Sequence, residues 1–196
     1  MPKKNGFTLI EILMAITLVA VISLAVYGSF SSGVRIMRRI AHPAFEEEAS
    51  VVFEKISREL ENSFLNADIP FTGEKDRFAF ATIIRSEPVL GGARAVGQVT
   101  YFYDSYGKSM SRRQEDVHQI YKEQEGPAKP LFEHVHALHF QYFGYETSQS
   151  QYLWTDDWDP ALKKNKSPMA VKIEFEFDDG ETRQNLTRTI AIPVGE

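Results

Sequence analysis

From Phe7 to Phe30 the chain is apolar on every side, 24 residues with one carboxylate, Glu11, near the start and no charge from Ile12 to Val26. At 1.5 Å per residue such a run makes about 36 Å of helix, against a hydrocarbon core of about 30 Å. The pattern predicts a membrane-spanning helix. Glu11 is the anomaly in it, because a charge near the centre of a membrane helix costs about 2.5–3.5 kcal/mol, and less near an end. Either the segment is not in lipid or the carboxylate meets a partner.

Beyond the run, Ser31-Ser32-Gly33 loosens the helix, and Val34, Ile36, Met37 and Ile40 alternate with Arg35, Arg38 and Arg39 as a juxtamembrane stretch. Pro43 predicts a kink or break near Ala41–Pro43, since an interior proline removes a hydrogen bond and clashes with the preceding turn. At the first position of a new helix it costs little, and Glu46, Glu47 and Glu48 suit a first turn. Phe45, Ala49, Val52, Phe53, Ile56, Leu60 and Phe64 then recur at helical spacing. This second helix is expected to end near Asn66, before Pro70.

The period then shortens to two. Arg77 to Arg85, Gln98 to Tyr103 and Lys108 to Arg113 read as strands, the last two joined by a turn at Asp104–Gly107. Gly91-Gly92 reads as a loop tip and Lys122–Pro130 as a connector. Leu131 to Phe143 reads as one strand with Leu138, Phe140 and Tyr142 on one face. Ala170 to Phe177 alternates strictly and returns as Thr182–Ile192 through a turn at Asp178–Glu181. One long helix followed by antiparallel strands is an α+β fold. The expected boundaries are a leader at 1–6, a membrane helix at 7–30, a continuing amphipathic helix at 31–66 and a β-rich domain at 67–196.

Composition narrows the classes. The chain has 196 residues, 43% of them hydrophobic, so the part after the helical arm can bury a real core. Its net charge is −5, and −7 without Lys3 and Lys4, which argues against a nucleic-acid surface. It has no cysteine, which excludes disulfides and thiol catalysis. Lys3 and Lys4 before the span favour a cytoplasmic N-terminus, whereas Arg35, Arg38 and Arg39 oppose it.

The stretch Gly6-Phe7-Thr8-Leu9-Ile10-Glu11, behind a short basic leader and ahead of the span, resembles the class III signal of type IV pilins and pseudopilins. The resemblance implies a pilin-like fold: a long N-terminal helix, kinked here near Pro43, and a C-terminal domain of antiparallel sheets. It implies cleavage between Gly6 and Phe7 and N-methylation of Phe7 by a prepilin peptidase/N-methyltransferase. It also implies that Glu11 faces the amino terminus of a neighbouring subunit during assembly, where paired charges become tolerable. The competing reading is a plain signal anchor with an accidental glutamate.

Farther on, Leu131-Phe132 with Val135, Leu138, Phe140 and Tyr142, then Trp154-Thr155-Asp156-Asp157-Trp158, then the hairpin 170–193 resemble in order the J-type minor pseudopilin of bacterial type II secretion. That resemblance implies an inner-membrane anchor with a periplasmic domain, and I-type and K-type minor pseudopilins as partners in a tip complex. H-type and major pseudopilins are further candidates. The contact is expected on the Phe45, Ala49, Val52 and Phe53 stripe, with those residues in the domain's own core as the competing reading. A minor pilin of a type IV pilus is the alternative, and a membrane-anchored enzyme or binding protein the third.

Other candidate chemistry is thin. His134-Val135-His136 could place two imidazoles on one strand face, but zinc needs at least three protein ligands. Asp156-Asp157-Trp158-Asp159 offers oxygens for calcium but lacks the glycine and distal glutamate of an EF-hand loop. Asn165-Lys166-Ser167 and Asn185-Leu186-Thr187 match glycosylation sequons. No nucleophile elbow, P-loop, metalloprotease motif or dinucleotide fingerprint is present. The expectation is a structural protein with no catalytic residues, metal or cofactor.

Overall fold

The structure, a computed structural model, describes residues 8–85, 94–147, 149–178 and 182–193, with the backbone alone over 34–46. The chain forms two compact units, Met1–Phe45 and Glu46–Glu196. The helix α1 (Leu9–Glu61, 53 residues) contributes to both.

In the first unit, Leu9–Gly33 is long and apolar enough to cross a membrane. Its large side chains all face outward, from Leu9 at 86% exposure to Ile12 at 50%. Within the span the Thr17 hydroxyl donates to the carbonyls of Leu13 and Met14 at 3.1 and 2.9 Å. A polar group in lipid must be satisfied within its own helix, and this one is.

Of the kink or break expected near Ala41–Pro43, the break is corrected. The backbone stays helical through Pro43 and no second helix starts there. Losing one backbone bond does not end a helix held by its neighbouring turns. The helix instead ends earlier than expected, at Glu61 rather than near Asn66. Asn62 and Ser63 bond the carbonyls of Arg58 and Leu60 through their side chains. Asn66 then accepts from the amides of Asp68 and Ile69, which fixes a turn. Short polar side chains compete with the helical ladder in this way.

The second unit holds two antiparallel sheets. The first contains β1 (Thr72–Gly73), β2 (Arg77–Arg85), β3 (Arg94–Asp104), β4 (Ser109–Asp116) and β5 (Ala128–Phe132), in the order β1-β2-β3-β4-β5. The second contains β6 (Val135–Glu146), β7 (Gln151–Thr155), β8 (Ala170–Asp178) and β9 (Arg183–Ala191), in the order β7-β6-β8-β9. With the apolar helix ahead of it, this is the α+β layout of pilin-like proteins. A short helix, α2 (Val117–Tyr121), follows β4 and is opened by a reciprocal cap between Asp116 and Gln119.

The strand expected at Leu131–Phe143 divides into β5 and β6. His134 sits at φ 61° and turns the chain from one sheet to the other. The Val135 amide then bonds the Lys108 carbonyl at 2.8 Å. Gly91-Gly92 and the turn residues 179–181 lie outside the described residues.

Aromatic side chains join the layers. Phe53 of α1 packs on Phe175 of β8 with ring centres 5.5 Å apart. Phe78, Phe80, Tyr101, Phe140 and Tyr142 are at most 1% exposed. The Tyr142 hydroxyl donates to the carbonyls of Glu74 and Arg77 at 2.6 and 2.9 Å, which ties β6 to the β1–β2 turn. A Cβ at Gly73 would lie 2.4 Å from that ring, so the close approach requires glycine.

Candidate functional site

The described N-terminus is built as a cap. Thr8 precedes α1, and its amide and hydroxyl both donate to Glu11 Oε2 at 3.0 Å. The Glu11 amide lies 3.4 Å from the Thr8 hydroxyl oxygen and 3.1 Å from the Thr8 carbonyl. Threonine and glutamate three residues apart, bonded reciprocally, form a capping box. A carboxylate in the first turn also faces the positive end of the helix dipole. Sequence reasoning treated Glu11 only as a charge in need of a neighbour, although the spacing Thr8-Leu9-Ile10-Glu11 is itself a capping signal. Only one carboxylate oxygen is used: among the described residues Oε1 has no partner. Gly6 and Phe7 lie outside the described residues.

Three of the four residues of the expected contact stripe have described side chains. Ala49, Val52 and Phe53 are 1%, 5% and 6% exposed within the second unit. These side chains are buried within the domain, with Phe53 against Phe175, which is the arrangement of the competing reading. The Phe45 side chain lies outside the described residues. What stays open beside the stripe is a groove of about 570 Å³ between α1 and β9, lined by Ser50, Glu54, Ser57, Thr187 and Arg188 with the edges of Ala49 and Phe53.

A half-buried ion cluster fastens α1 to the first sheet. Glu59 Oε2 accepts from Tyr101 at 2.6 Å and from Arg112 at 2.9 Å, and Lys55 lies 3.4 Å from its other oxygen. Burial pushes the Tyr101 hydroxyl well above its ordinary pKa, and the Glu59 carboxylate pushes the same way. The tyrosine therefore stays a donor at any working pH.

The histidines do not assemble. His134 is in a left-handed turn and His136 is in β6, so the two do not share a strand face. His136 lies 3.5 Å from Asp178, and His139 lies 3.1 Å from Asp156. Among the described residues no cluster of three or more potential metal ligands occurs. Asp156 is held by its own chain: Gln141 donates to Oδ1 at 2.9 Å. That bond, with help from His139 and against partial burial, keeps the carboxyl below its ordinary pKa. Asp159 accepts from the Ala161 amide. Trp158 is folded inward at 4% exposure, and its indole N–H donates to the Lys166 carbonyl at 2.8 Å. Trp154 lies against Phe143, with ring centres 5.1 Å apart, beneath the Lys172 ammonium.

With this geometry in place, the comparisons concern the N-terminus. The family model of the prokaryotic N-terminal methylation motif matches residues 1–27. That match covers the basic leader, the Thr8–Glu11 cap and most of the apolar span, and it points to a type IV pilin-like or pseudopilin protein. A search of curated proteins finds no match to the chain.

Proposed function

We propose that the chain is a minor pseudopilin of type II protein secretion, of the J type, and a structural subunit rather than a catalyst. The observation that supports it most is the methylation motif over residues 1–27, set on a helix whose span is exposed and apolar. Its extension to the J type rests on the order of motifs through residues 131–193. In this reading the prepilin peptidase cuts between Gly6 and Phe7 and methylates Phe7. The helix anchors in the inner membrane and the domain faces the periplasm. There it joins I-type and K-type minor pseudopilins in a tip complex that starts pseudopilus assembly. The same N-terminus would serve a minor pilin of a type IV pilus. Loss of secretion rather than of pili on deleting the gene separates the two.

Glu11 has two tasks in this proposal. Oε2 caps its own helix, and the open Oε1 is available to the Phe7 ammonium of a neighbour. Two substitutions separate the tasks. Glu11→Gln keeps an acceptor for Thr8 and removes the charge, whereas Glu11→Leu removes both. If the neighbour's ammonium is the partner, both variants lose crosslinking to other subunits while still inserting in the membrane. Normal crosslinking of Glu11→Gln would leave Glu11 as a cap alone. Gly6→Leu should leave the leader attached, and mass spectrometry of the wild type should show a methylated Phe7 start.

A further inference from the structure

At the shared end of β6 and β7 the second unit has a cavity of about 650 Å³, open to solvent. That lies within the range of about 300–1,000 Å³ typical of ligand sites. Its apolar walls come from Trp158, Tyr145, Tyr152 and Met169. Tyr145, Tyr152 and Met169 are 47%, 58% and 38% exposed. The chain as a whole is acidic, yet the lining contains three lysines and, among the described residues, no carboxylate.

One of the three is spoken for. Lys163 bonds Glu146 Oε2 at 2.7 Å and lies 4.8 Å from the Trp158 ring centre. Lys164 and Lys166 are exposed, and neither ammonium has a partner among the described residues. Their placement is imposed by the backbone. Lys164 and Asn165 both occupy the left-handed region, at φ 52° and 57°, a conformation that asparagine adopts readily and lysine does not. The Asn165 amide bonds the Pro160 carbonyl at 2.8 Å, and the Trp158 indole holds the Lys166 carbonyl. The floor is equally fixed, because Trp158 lies against Gly144, where a Cβ would meet the ring at 2.4 Å. Strain of this kind persists where the surrounding structure over-determines it, and it concentrates at binding sites. Among the described residues β7 is also an outer strand of its sheet, with one edge that no other strand pairs.

From the positive rim, the aromatic floor and the open strand edge, we propose that this cavity binds an extended acidic segment of another polypeptide. The segment adds along β7, as strand-edge recognition does elsewhere. Its carboxylates meet Lys164 and Lys166, and an apolar side chain rests on Tyr152 and Trp158. The assignment does not depend on whether the assembly serves secretion or a pilus.

The test uses the full chain in detergent micelles and a fluorescein-labelled Glu-Leu-Phe-Glu-Asp peptide followed by anisotropy. Saturable binding is expected, weakened at least tenfold by Lys164→Ala with Lys166→Ala. Lys122→Ala with Lys129→Ala removes the same charge from exposed positions elsewhere and should change little. A backbone N-methylated version of the peptide should bind at least tenfold more weakly. No saturation, or an equal loss in both lysine pairs, overturns the site. Competition by N-acetylphenylalanine as strong as by the unlabelled peptide overturns the peptide assignment in favour of a small carboxylate. An N-methylated peptide that binds undiminished overturns the strand-edge docking.

Discussion

Two stretches of the same helix carry the same kinds of apolar side chain and meet opposite surroundings. Along Leu9–Gly33 the apolar residues occupy every side and are exposed within the chain, Ile22 at 53% and Leu24 at 71%. Between Ala49 and Leu60 all but Val51 occupy one stripe and disappear, with Ile56 and Leu60 at 0%. A helix apolar all round requires an apolar solvent, whereas a helix apolar along one stripe requires only a core. Burying one large aliphatic side chain contributes about 1.5–3 kcal/mol. In the second stretch the domain supplies that burial. In the first, the bilayer has to supply it.

The sharpest way to break this comparison is to place the same charge in both stretches. Ile56→Asp puts a carboxylate at a fully buried position with no cation provided for it. An uncompensated buried charge costs several kcal/mol, a large share of a domain stability of about 5–15 kcal/mol. The domain should lose its cooperative melt and become protease-sensitive. Ile22→Asp should instead cost about 2.5–3.5 kcal/mol in membrane insertion and leave the domain's melting temperature where it was. Insertion assays and thermal melts of the two variants read these effects separately. An unchanged melt for Ile56→Asp would show that the stripe is not core.

A smaller effect is expected at the polar seam between α1 and the first sheet. Glu59→Leu leaves the half-buried Arg112 and the Tyr101 hydroxyl without their shared acceptor. The cost should be about 2–3 kcal/mol, a fall in melting temperature on the order of 5–10 °C for a domain of this size. Arg112→Met added to Glu59→Leu should recover part of the loss, because replacing both partners of a buried pair is often close to neutral. A double variant no better than the single one would mean that Tyr101, not the ion pair, sets the cost.

How much of this was legible varies with the kind of signal. β2 runs from Arg77 to Arg85 as the aromatic and branched residues predict. β8 buries Val171, Ile173, Phe175 and Phe177 in strict alternation. Period and burial are the same fact there, so the sequence suffices. The stripe at Ala49, Val52 and Phe53 shows the limit. Periodicity says that a face must be covered, and not whether the chain or a partner covers it. The break between β5 and β6 was invisible because His134 adopts a left-handed turn without glycine. β7 was hidden in a polar stretch, and where Trp158 packs depends on distant residues such as Gly73 and Gly144. Two features were readable and went unread: the caps at Thr8/Glu11 and Asp116/Gln119, both with the three-residue spacing of a capping box.

The smallest effect concerns Asp156, on the domain's polar surface, where neither lipid nor core decides. Gln141 and His139 hold its carboxyl below the ordinary value. A group whose folded pKa is depressed adds stability that is fully present above its unfolded pKa and is lost as pH falls through the folded one. The unfolded value for aspartate is about 3.9, so the contribution should be constant through neutral pH and disappear only below about pH 4. The side chain is 46% exposed, and solvent screening reduces what the pair contributes to less than about 1 kcal/mol. Asp156→Asn should therefore barely change the melting temperature at pH 7 and should slightly flatten its decline between pH 5 and pH 3. A loss of several degrees at pH 7 would show that Asp156 orders the chain between β7 and Trp158 as well as accepting two hydrogen bonds.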